Sequence, residues 1–156
     1  MQIQELQKLM ESKDGLDVLI ADYQSCFDEI DQLIGELKAD NLGDEAALMS
    51  AASRLTGLYG SLITVSKMSQ AAKINIEAKK FVLLNEEYET ANPGAKPLSA
   101  AKLDKMTAIE IGDWRTVRNI FEGYTLAAEK AIMTCQSNLK SIKTERIFET
   151  ANPERV

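Results

Sequence analysis

Between Asp44 and Thr90 this sequence runs without a proline and keeps apolar residues at helical spacing throughout. Leu48, Ala52, Leu55, Tyr59 and Leu62 carry the first half of that pattern, and Ala72, Ile76 and Leu83 carry the second. At about 1.5 Å per residue, such a helix is roughly 70 Å long. That is longer than a compact monomer of 156 residues needs. Its apolar stripe must therefore be covered by other helices or by other chains. Gly57 and Gly60 are its weak point, because each costs about 1 kcal/mol against alanine in a helix interior. They mark either a kink or a place where another helix approaches closely.

The flanking segments agree with an all-α fold. Ile3, Leu6, Leu9 and Met10 describe a short amphipathic helix interrupted near residues 12–15. Leu16, Ile20, Tyr23, Phe27, Ile30, Ile34 and Leu37 then alternate steps of four and three, the pattern of a coiled-coil seam. Asp40, Asn41, Leu42, Gly43 and Asp44 supply a turn, with Asn41 or Asp44 able to cap the long helix. Gly94, Ala95, Lys96, Pro97 and Leu98 form the clearest loop, and Ser99 can cap a short helix reaching about Ile111. Gly112 and Asp113 introduce the last helix. Its seam passes through Trp114, Val117, Phe121, Tyr124, Ala128, Ala131, Cys135, Leu139 and Ile142. We expect one helical domain over 1–156, composed of an acidic helical segment (1–40), a long helix (44–92), a loop (93–98) and C-terminal helices (99–150). The seams suggest packing between chains as well as within one, with Leu16, Ile20, Tyr23, Phe27, Ile30, Ile34, Leu37, Trp114 and Phe121 as the candidate oligomer interface.

The hexapeptide at Tyr88–Pro93, an aromatic followed by Glu-Thr-Ala-Asn-Pro, recurs at Phe148–Pro153. Asparagine tolerates the left-handed conformation that closes helices, and the proline after it cannot continue one. The repeat reads as a repeated stop signal. The helices upstream of the two copies do not align, so it implies no duplicated domain.

Charge is unevenly spread along the chain. Residues 1–53 hold three basic and twelve acidic residues, whereas 54–156 hold fifteen and twelve. The acidic residues between the seam positions of the first coiled-coil segment, Asp17, Asp22, Asp28, Glu29, Asp31 and Glu36, are either solvated or face a basic partner. The excess base further on is local. Lys79 and Lys80 are adjacent, Arg115 and Arg118 are three apart, and Lys140, Lys143 and Arg146 step by three, which places each set on one helix face. Such faces either neutralise nearby acids or meet phosphates, with Tyr88, Tyr124 or Phe148 available to stack on bases.

Catalytic chemistry is poorly provided for. The sequence has no histidine, no Gly-rich phosphate loop and no dinucleotide fingerprint. A non-enzymatic role without cofactor or metal is expected. Cys26 and Cys135 lie on helical stretches without zinc or disulfide spacing and read as reduced core or interface residues. The N-terminus lacks a secretory pattern and no window approaches the ~20 apolar residues of a membrane span, so a cytoplasmic location without membrane contact is expected.

The order of elements from about Leu55 to Glu149 resembles the recombination mediators of T4-like phages, the UvsY type. The residues concerned are Ile76-Glu77-Ala78-Lys79-Lys80 on a long helix, the aromatic helix end at Tyr88, the polar loop and Trp114 opening the last helix. The tail through Ala131, Ile132, Leu139, Ile142, Arg146, Phe148 and Glu149 completes the resemblance. It implies a helical homo-oligomer that binds single-stranded DNA and helps load a recombinase onto strands covered by single-strand-binding protein. Asn85, Glu86 and Glu87 stand where the family carries basic residues, which leaves Lys79, Lys80, Lys140, Lys143 and Arg146 as the nucleic-acid-binding candidates. Two other roles remain open. One is an acidic interaction module, such as a phage-encoded inhibitor occupying the basic surface of a host nucleic-acid-binding protein; the other is a structural coiled-coil component.

Overall fold

The computed structural model describes residues 3–39 and 44–151. It is all-α, with five helices and no strand among those residues. The helices are α1 (Ile3–Leu9), α2 (Lys13–Lys38), α3 (Glu45–Ala91), α4 (Ala100–Glu110) and α5 (Gly112–Ala151).

Short polar residues set the boundaries. Ser12 caps α2 by accepting from the Gly15 amide through its Oγ at 3.1 Å. Asp44 caps α3 through Oδ1, 2.6 Å from the Ala47 amide nitrogen, while Asn41 lies outside the described residues. Ser99 caps α4 by accepting from the Lys102 amide. At the end of α3, both the backbone amide and the side-chain amide of Asn92 donate to the Tyr88 carbonyl at 3.0 Å. Gly94 follows at φ +83°, a conformation that lets the chain turn into the loop without a Cβ penalty. The first hexapeptide thus does close its helix. α5 is described as far as Ala151, and the Asn152-Pro153 stop of the second copy lies outside the described residues.

The chain divides into two compact units, each assembled from separated stretches of sequence. The first comprises Met1–Tyr23 and Thr64–Glu122. Its buried side chains include Leu6, Met10, Leu16, Leu19, Val65, Leu103, Ile111, Trp114, Val117 and Phe121. The Trp114 indole N–H donates to the Met10 carbonyl at 2.8 Å, tying α5 to the end of α1. Tyr23 meets Phe121 edge to face, with ring centroids 5.3 Å apart. The second unit comprises Gln24–Ile63 and Gly123–Val156. It buries Phe27, Ile30, Leu33, Leu48, Ala51, Leu55, Leu62, Ala128, Ala131 and Cys135. There Phe27 stacks on Tyr124 at 4.3 Å, and the Tyr124 hydroxyl donates to Asp31 at 2.8 Å.

Of the seam anticipated for α5, Trp114, Val117, Phe121, Ala128, Ala131 and Cys135 are buried, whereas Tyr124, Leu139 and Ile142 are half-buried. On α2 the buried set is Leu16, Leu19, Phe27, Ile30 and Leu33. Ile20, Tyr23, Ile34 and Leu37 are only half-buried, so Leu19 and Leu33 take the places that the alternating pattern gave to Ile20 and Ile34. α3 runs through Gly57 and Gly60, and a Cβ at either would meet nothing within 4 Å. Among the described residues, no other helix comes within 4 Å of either Cβ position. Beyond Ser69 α3 has no buried residue: Ala72 and Ile76 are half-buried and Leu83 is exposed. Cys135 is buried and Cys26 half-buried, both as free thiols, and burial pushes the Cys135 thiol above its ordinary pKa. Among the described residues, no helix is long and apolar enough to cross a membrane.

Candidate nucleic-acid interface

Five of the 11 basic residues in the first unit, Lys13, Lys73, Lys80, Arg115 and Arg118, are matched by acids. Glu77 sits one helical turn beyond Lys73 and pairs with it, and it also takes the Arg115 guanidinium at 2.7 Å. The hydrogen bond from Lys73, followed by the one from Arg115, holds the Glu77 carboxyl below its usual range. Arg118 pairs with Glu122 at 2.7 Å on the same helix. Lys80 reaches Glu110 of α4 at 3.5 Å, a long contact. Lys79 is exposed and, among the described residues, makes no ion pair. Of the adjacent lysines at 79 and 80, one is therefore partly neutralised and the other is available.

In the second unit, Arg146 pairs with Glu45 at the start of α3. Lys140 and Lys143 are exposed and, among the described residues, make no ion pair. Helical spacing puts Lys140, Lys143 and Ile147 on one face, opposite the side on which Ala131 and Cys135 are buried and Ile142 half-buried. Ile147 and Phe148 are both about two-thirds exposed, at 69% and 68%. This surface combines two cations with one exposed aliphatic side chain, and Phe148 lies about 100° round the helix from Ile147. The candidate stacking residues fare differently. Tyr124 is committed to Phe27 and Asp31, and the hydrogen bond it donates to Asp31, together with burial, raises its phenol pKa. Tyr88 is half-buried and its hydroxyl donates to the Lys96 carbonyl at 3.4 Å, whereas Phe148 is exposed. Ile147 was missed in the sequence, although its position seven residues after Lys140 was a usable signal.

Folding redistributes the charge split along the chain. The first unit holds 11 basic and 13 acidic residues and the second 7 and 11, so both are net acidic. Ion pairs join the two sequence blocks: Lys13 meets Asp113 at 2.8 Å, Arg54 grips one oxygen of Glu29 through both Nε and Nη2, and Arg146 meets Glu45. Asp31 accepts from Tyr124. On α2, Asp14, Asp17, Asp22, Asp28 and Asp31 are exposed and Glu36 is half-buried, and among the described residues none of them is in an ion pair.

The candidate interface residues divide into two sets. Leu16, Phe27, Ile30, Trp114 and Phe121 are buried within a single chain and so have no free surface to offer a partner. Ile20, Tyr23, Ile34 and Leu37 retain partial exposure. Among the described residues, no group of three or more Cys, Asp or Glu side chains converges as a metal site would require. No protein-family model matches the chain, and neither a curated protein nor a solved structure matches it.

Proposed function

We propose that the chain is a non-catalytic helical adapter of the phage recombination-mediator kind, which binds single-stranded DNA through the outward face at the end of α5. The observation that carries this reading is the pair Lys140 and Lys143, exposed and, among the described residues, in no ion pair, on one face with exposed Ile147, while the exposed Phe148 ring stands at the next position round the helix. Lysines supply sequence-independent attraction to phosphates, and an exposed ring supplies a platform for a base. Tethering a strand in this way would let the adapter hand it to a recombinase while single-strand-binding protein is displaced. The overall acidity of both units limits such binding to a local patch, so it is weak and strongly salt-dependent.

The test is fluorescence anisotropy of a labelled oligonucleotide against salt concentration. Each phosphate contact on a single strand contributes about −0.7 to the slope of log K against log salt, so Lys140→Glu/Lys143→Glu should flatten the slope by about 1.4. The same affinity and slope in wild type and variant, or no binding at low salt by either, would remove the proposal.

A second reading rests on Asp14, Asp17 and Asp22, which offer an unneutralised acidic surface to a basic protein. Deleting residues 1–40 cannot test it, because α1 and α2 supply Leu6, Leu19, Ile30 and Leu33 to the cores. Asp17→Lys/Asp22→Lys in the full chain is the usable probe. A pull-down from host lysate in which this variant retains every wild-type partner counts against this reading.

A further inference from the structure

We infer that the C-terminal part of α3 is a self-complementary surface through which two copies of this chain pair antiparallel, with Val82 and Leu83 at the centre. The starting observation is exposure. Residues 70–91 of α3 contain no buried side chain, and Val82 and Leu83 are 54% and 48% exposed at neighbouring positions. A helix face that places large aliphatic side chains in water is under-covered for a single chain.

Charge decides what covers it. One turn before this apolar centre stands Lys79, and one turn after it stands Glu86. Both are exposed, and among the described residues neither is in an ion pair, although Lys73, Glu77 and Lys80 close by are all matched within the chain. Lys79, Val82, Leu83 and Glu86 lie on one face at three- and four-residue steps. If a second copy lies antiparallel and is centred between Val82 and Leu83, each Val82 faces the other copy's Leu83. Each Lys79 then faces the other copy's Glu86. The two-fold axis makes every contact occur twice, so one surface serves both partners. Parallel alignment in register would set Lys79 against Lys79 and Glu86 against Glu86, which the same charges oppose. The charge order along the helix therefore selects a second copy and a direction. It also gives Lys79 a role apart from DNA, one that does not depend on the function proposed for α5.

Sedimentation equilibrium of the full chain tests the pairing through charge reversal and rescue. Lys79→Glu and Glu86→Lys alone each replace two attractive contacts by two repulsive ones and should raise the dimer Kd by about tenfold. Lys79→Glu/Glu86→Lys restores opposite charges across the axis and should return to within about threefold of wild type. Leu83→Glu should leave only monomer. Because these residues are exposed and unpaired, helicity by circular dichroism should not change in any variant. A wild-type chain that stays monomeric up to about 1 mM, the weak limit of useful association, overturns the inference. So does self-association that is indifferent to either single reversal, or a double variant no better than the single ones.

Discussion

Replacing Gly15 by alanine should destabilise this protein by an amount set by the junction of α1 and α2. Gly15 is buried in the first turn of α2, and an ideal Cβ there would sit 2.1 Å from the Leu9 carbonyl oxygen, 2.8 Å from its carbon and 2.9 Å from its Cα. All three are backbone atoms, so no rotamer change relieves the overlap. Either the junction shifts by more than an ångström or α1 leaves its place. Shifting a packed backbone to admit one methyl costs about 1–3 kcal/mol. Undocking α1 exposes Leu6 and Met10, at about 1.5–3 kcal/mol each, and breaks the Trp114–Met10 hydrogen bond, worth about 1 kcal/mol. Against these costs, alanine gains about 1 kcal/mol of helix propensity over glycine, and freeing α1 recovers conformational entropy. The net expectation is a loss of about 2 kcal/mol, which for a chain of this size lowers Tm by roughly 4–8 °C. Thermal and urea unfolding followed by circular dichroism give the stability. Emission from Trp114, the one tryptophan in the sequence, reports whether α1 has moved. A Gly15→Ala protein as stable as wild type with unchanged emission would refute the reasoning.

Gly57→Ala and Gly60→Ala should act in the opposite direction, each stabilising by up to about 1 kcal/mol, because both glycines lie within α3 with open space at the Cβ position; a destabilised variant in urea melts would mean that the space is used. Trp114→Phe removes the buried bond to Met10 and part of a packed ring, and should cost about 2–4 kcal/mol by chemical denaturation. A cost below about 1 kcal/mol would show that the Met10 carbonyl finds another donor. Glu77 has a lowered folded pKa, so its contribution is present above its unfolded value of about 4.3 and fades as pH falls through the folded one. Unfolding midpoints measured from pH 7 to pH 3 should therefore fall less steeply for Glu77→Gln than for wild type, and parallel curves would contradict that linkage.

The helix boundaries were legible because they rest on local chemistry: Ser99, Asp44 and the Asn92–Gly94 turn act within a few residues of themselves. The buried seam positions of α5 were legible for a related reason, since a polar residue stands on at least one side of each and narrows the choice of face. On α2 the apolar pairs Leu19/Ile20 and Leu33/Ile34 offered two faces, and the packing partner, which the sequence does not show, chose the leucines. Charge was the least legible feature. Glu29 with Arg54 and Glu45 with Arg146 neutralise each other across long stretches of chain, so a block count along the sequence overstated both the acidic front and the basic rear. The available lysines at 140 and 143 were visible in sequence; that Arg146 and Lys80 are engaged was not, because their partners come from other helices.

Light scattering of the full chain, alone and mixed with single-stranded DNA, tests the adapter reading most directly. The account predicts a self-associating protein whose mass rises with added oligonucleotide at low salt and returns to its DNA-free value at high salt. A strict monomer at high concentration, eluting apart from the DNA at every salt concentration, would contradict it.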